Sequence, residues 1–140
     1  MASRHLTMLV LACALFASVP TAGAAATSKT VRLAIAHVVS HCHVWRTPAK
    51  LLGPALKLTV APGTHVVIRP DCPMDFELAQ TKGPRLALGD PRMYAGTSRT
   101  ITFRKPGVYR LTVTNVQTPE ERGLTVLGEP NGLTLTVVVR

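Results

Sequence analysis

The residues with most capacity for chemistry stand in two short runs. The first is His41-Cys42-His43-Val44-Trp45, with His37 four residues earlier. On an extended strand successive side chains alternate, so His41 and His43 share one face and Cys42 takes the other. Two imidazoles on one face can chelate Cu(II), Zn or Ni, because imidazole nitrogen suits each of them. The other face can carry Cys42 into a core, beside Trp45 or bonded to Cys72. The second run is Asp71-Cys72-Pro73-Met74-Asp75. A thiolate and a thioether two residues apart are soft donors that prefer Cu(I). The same Met74 would also serve as adaptable core filler.

Other chemistries find little support. Cys42 beside His43 invites a nucleophile reading, since a neighbouring imidazole lowers a thiol pKa. Strand neighbours point to opposite faces, however, so adjacency argues against that pairing. After the N-terminal segment the only serines are Ser28, Ser40 and Ser98, with no nucleophile elbow around them. There is no glycine-rich phosphate loop and no dinucleotide fingerprint. The expectation is a protein that is not an enzyme.

The N-terminal segment reads as an export signal. Arg4 and His5 form a basic start, and the run from Leu6 to Val19 is almost wholly apolar. Pro20 ends it, and Ala22-Gly23-Ala24 offers small residues at the positions a signal peptidase reads. Residues 1–24 are expected to be removed, with a second acceptable cut after Ala26 and a fainter lipoprotein-type alternative at Cys13. Residues 27–140 then form one extracytoplasmic domain, periplasmic or secreted. That compartment lets disulfides persist, and with Cys13 gone the two remaining cysteines, Cys42 and Cys72, form the simplest pair. A disulfide would consume both sulfurs, so it and a Cys-ligated metal exclude each other.

The 140 residues carry 16 Lys+Arg against 7 Asp+Glu, a net charge of +9. The signal takes one of those positive charges, Arg4, with it. The cations are spread singly, and aromatic residues amount to only 4%, so neither a basic cluster nor a stacking ladder for nucleic acid is present. The charge suits attraction to an anionic envelope instead. After the signal no apolar run reaches the roughly 20 residues of a membrane span.

The elements that must position these side chains are strands. Period-two alternation recurs at Val31–Ile35, Leu56–Val60, Phe76–Leu78, Ile101–Phe103, Tyr109–Val113 and Leu133–Val139, and His65–Ile68 is a short β-branched run. Ala61-Pro62-Gly63-Thr64, Arg69-Pro70-Asp71, Lys82-Gly83-Pro84, Gly89-Asp90-Pro91 and Lys105-Pro106-Gly107 punctuate them, and Asn131-Gly132 precedes the last. One helical turn is expected near residues 118–123, with Thr118 as N-cap, Pro119 at the first position and Gly123 at the end. About seven or eight half-buried strands imply an all-β sandwich.

This pattern resembles the cupredoxins, small Greek-key β-sandwiches that carry one copper. The resemblance rests on Leu58-Thr59-Val60-Ala61-Pro62-Gly63-Thr64, on Val66–Asp71, on Pro73–Leu78 and on Thr102–Tyr109, and it spans residues 31–139. The sequence is also similar to small exported bacterial cupredoxin-like proteins with a Cys-His-x-Trp near the mature start. The blue-copper ligands are not retained. Position 74, where the resemblance implies a histidine after proline, is Met74. The strand that should deliver cysteine reads Leu111-Thr112-Val113-Thr114, and Gly123-Leu124 replaces a Gly-Met pair. No histidine follows His65 and no cysteine follows Cys72, which excludes a His₂Cys blue-copper centre in its usual place.

Two functions follow as expectations. One is copper storage or delivery through a relocated site of His41, His43, Met74 and Met93, the last in the Gly89–Ser98 loop, with a copper donor or acceptor protein as partner. The other is a metal-free sandwich, stapled by Cys42–Cys72, that serves as an envelope binding module.

Overall fold

The computed structural model describes residues 29–38, 41–116 and 132–140, with the backbone alone at positions 41 and 42. The expected signal, both cleavage sites, Cys13 and the turn at residues 118–123 lie outside the described residues.

Among the described residues every regular element is a strand. In chain order these are β1 (Thr30–Val38), β2 (His41–Arg46), β3 (Leu51–Gly53), β4 (Ala55–Val60) and β5 (Thr64–Pro70), then β6 (Phe76–Lys82), β7 (Arg92–Met93), β8 (Arg99–Phe103), β9 (Gly107–Asn115) and β10 (Gly132–Val139). One sheet has the order β3-β2-β1-β5-β8 and the other β4-β10-β9-β6-β7. Pairings are antiparallel except β1 with β5 and β4 with β10. A parallel pair cannot be closed by a hairpin, so each requires a longer path through the sandwich. The chain makes that path by passing between sheets, as where Pro54 separates β3 in one sheet from β4 in the other.

The alternation read in the sequence is the alternation that buries the core. Leu133, Leu135, Val137 and Val139 of β10 are all buried, while the residues between them are half-buried. Leu33 and Ile35 of β1, Val66 and Ile68 of β5, and Tyr109, Leu111 and Val113 of β9 meet them in one cluster. Two aromatic contacts fix the layers. Trp45 of β2 is wholly buried and donates from Nε1 to the carbonyl of Thr134 in the opposite sheet at 3.0 Å. Phe103 and Tyr109 meet edge to face at 5.0 Å, and the Tyr109 hydroxyl donates to the Lys105 carbonyl at 2.6 Å, closing the Lys105–Gly107 turn.

All seven expected strands are present, so the all-β sandwich holds. Among the described residues the strands number ten, against seven or eight expected. The three others are β2, which is the His41–Trp45 run itself, and the three-residue β3 and two-residue β7, too short to show a period. Such strands exist because neighbours pair with them.

Candidate functional site

The antiparallel register of β1 and β2 sets Ile35 opposite Trp45 and His37 opposite His43. Opposed residues share a face, so both pairs look inward. Burial declines along that face: Ile35 and Trp45 are fully enclosed, His43 is 7% exposed, and His37 is exposed. His43 is thus the last buried layer at one end of the sandwich. In the opposite sheet Phe76 opens β6 at the same end, opposite Asn115, where β9 finishes.

The connection from β5 to β6, residues 71–75, crosses from one sheet to the other and carries Met74 between them. Its two aspartates are its anchors. The amide of Asp71 donates to the Ile35 carbonyl at 2.9 Å, and its carboxylate pairs with Arg46 and, at 3.1 Å, with Arg69. The Asp75 carboxylate accepts from Arg92 Nη2 and from the amide of Ala95, both at 3.0 Å, while its carbonyl accepts from the amide of Val116.

Held this way, Met74 brings Sδ to 3.2 Å from His43 Nε2. The Phe76 ring stands edge to face against His43 with centroids 5.0 Å apart, and the His37 ring lies 5.5 Å from it. The arrangement is one buried imidazole facing a thioether, an aromatic wall and a second, accessible imidazole. An ion touching an imidazole nitrogen and a sulfur at ordinary distances needs those donors roughly 3–4 Å apart. The His43–Met74 spacing meets that requirement, and an imidazole with a thioether is a donor pair that soft, monovalent copper accepts. Among the described residues no group of three or more His, Cys, Asp and Glu side chains is arranged for a metal.

Of the expected site residues, His43 and Met74 come together. The side chains of His41 and Cys42 lie outside the described residues. Met93 does not stand in a loop: it forms β7, pairs with Phe76 and is 2% exposed in the core cluster. Pairing with β6 turned it inward. Cys72 is a buried free thiol. Burial pushes its pKa above the ordinary 9.0, against the opposing pull of hydrogen bonds from the backbone of Met74 and Cys72 itself, so with no metal bound it is a protonated thiol at neutral pH. Leu111 and Val113, where a copper cysteine was sought, are core side chains. Sequence reading assigned no role to His37 or Phe76. The signal for His37 was its place four residues before His41; the antiparallel pairing of β1 with β2 sets it opposite His43.

No protein-family model matches the sequence, and no curated protein does. Solved structures with a similar fold include amicyanin from Paracoccus versutus, at 18% identity over 85% of this chain and 87% of that one, TM-score 0.39. A purple cupredoxin from Nitrosopumilus maritimus is 17% identical over 76% of this chain and 97% of its own, TM-score 0.43. A multicopper oxidase from Campylobacter jejuni is 16% identical over 79% of this chain and 25% of its own, TM-score 0.48. The fold is an all-β sandwich, as the alternation led us to expect, defined by its two strand orders and by the parallel β1–β5 and β4–β10 pairings.

Proposed function

We propose that this chain is an exported, non-catalytic copper-binding protein that holds Cu(I) for storage or delivery. The observation that carries the reading is the 3.2 Å approach of His43 Nε2 to Met74 Sδ at the end of the sandwich. His37, whose ring lies 5.5 Å from that of His43, is the nearest described candidate for a further donor. A His/Met set favours Cu(I) and lacks the thiolate on which blue-copper electron transfer depends. Its physiological counterpart would be a protein that donates or accepts copper. No helix among the described residues is long and apolar enough to cross a membrane.

The test is Cu(I) titration of the purified protein against a chromophoric chelator, under reducing conditions. One equivalent bound, with affinity reduced at least tenfold by Met74→Leu and by His37→Ala, is the expected result. Copper at background, or binding indifferent to both substitutions, overturns it.

A second reading has its own observation. His43 is buried with a sulfur and an aromatic ring as neighbours, which is also how a purely structural histidine is packed. Under that reading the sandwich is a metal-free envelope module, and the same titration returns no copper.

A further inference from the structure

The outward face of the β3-β2-β1-β5-β8 sheet carries a feature that the His43 site does not use. Register places Ala34 of β1 directly between Arg46 of β2 and Arg69 of β5. Strand spacing of about 4.8 Å puts those two arginine backbones roughly 10 Å apart, with only a methyl group between them. Arg32, two residues along β1, lies on the same face about 7 Å from Ala34. These three arginines line one open groove of about 530 Å³ whose lining also includes the hydroxyl residues Thr47 and Ser98.

The groove already shows how it treats an oxyanion. Asp71 sits at its rim with one carboxylate oxygen on Arg46 Nη2 and the other on Arg69 Nε. Both guanidiniums are thus aimed at a common point by an internal carboxylate. One carboxylate does not balance three guanidiniums, and the lining contains no other acidic residue. Arginine's planar fork is matched to oxyanions such as phosphate, where lysine would offer only a point charge.

We propose that Arg32, Arg46 and Arg69 form a binding site for a phosphate-type oxyanion, with Asp71 as the internal anion that orients two of the arginines and competes with the ligand. Free phosphate and the phosphate of a lipid headgroup share this chemistry, and the groove is open enough for either. The site is on the opposite face of the sheet from His43 and does not depend on copper.

Inorganic phosphate is titrated into the purified protein at constant ionic strength, followed by amide and guanidinium NMR shifts. In parallel the protein is sedimented with vesicles of phosphatidylglycerol, and with neutral phosphatidylcholine vesicles as control. Saturable shifts confined to the groove, weakened about five- to tenfold by Arg32→Ala, support the site. Asp71→Asn is expected to tighten binding about threefold, because it removes the competing charge; should it unsettle the 71–75 connection, Arg32→Ala carries the test alone, since Arg32 is exposed. Lys57→Ala and Arg110→Ala, which remove equal charge from the other sheet, are expected to change nothing. Vesicle binding that is lost with Arg32→Ala, without free-phosphate binding, assigns the lipid source. Absence of binding in both arms overturns the proposal. So does binding that Lys57→Ala weakens as much as Arg32→Ala, since it would then be charge attraction alone.

Discussion

His43 Nε2, on β2, and Met74 Sδ, on the connection between the sheets, face each other at 3.2 Å at the end of the sandwich. The pair is 31 residues apart in sequence, and Asp71 and Asp75 hold the connection that brings it together. Met74→Leu keeps the volume and deletes the donor, so its cost without metal is expected to stay under about 1.5 kcal/mol. Binding to the native state alone raises stability by about 2.7 kcal/mol at a hundred times the dissociation constant. Thermal unfolding with and without Cu(I) is thus expected to show a stabilisation in the wild type that Met74→Leu lowers by about 1.3 kcal/mol or more. Equal shifts in both proteins would remove Met74 from the ligand set.

Trp45 ties the two sheets through its indole and the Thr134 carbonyl. Trp45→Phe leaves that acceptor without its indole donor and opens space in the core. The combined cost is expected to be about 2–4 kcal/mol, read from denaturant unfolding. A loss under about 1 kcal/mol would mean that water or a shifted backbone replaces the bond.

The strands that bury the core were legible because each is long enough to show period two, as in Leu133–Val139. The site was legible only in part. His43 and Met74 were found by residue type, while their contact depends on a link between sheets that no local pattern encodes. Met93 was misplaced because its two-residue strand exists only through pairing with Phe76. Period two sets Trp45 with His43, and both are buried on the inward face; the expected place of Cys42 lies outside the described side chains.

Gly83 has φ +103°, and a Cβ there would lie 2.5 Å from the Val108 carbonyl oxygen and 2.9 Å from Tyr109 Cα. Both obstacles are backbone of the central strand β9, which cannot give way cheaply. Gly63 has φ +84° with open space around it. Gly63→Ala is therefore expected to cost only the left-handed conformation, about 1–2 kcal/mol. Gly83→Ala adds the steric clash and is expected to cost about 3–5 kcal/mol. Denaturant midpoints of the two variants, measured side by side, check the difference, and equal losses would contradict the close approach.

Cys72 supplies the pH prediction. Its pKa in the folded chain is raised above 9.0, first because burial penalises the thiolate. The unfolded chain therefore releases this proton at lower pH than the folded one. Below the unfolded value both states hold the proton, and the contribution of the buried thiol to stability is complete. As pH rises from about 9 through the folded pKa, the unfolded state binds fewer protons and that contribution is lost. Unfolding measured from pH 7 to 10.5 is expected to show a decline above about pH 9 that Cys72→Ala reduces. Iodoacetamide is expected to label Cys72 in the folded protein far more slowly at pH 8 than it labels a free peptide thiol. Labelling at the peptide rate would show that the thiol is open to solvent and its pKa unshifted.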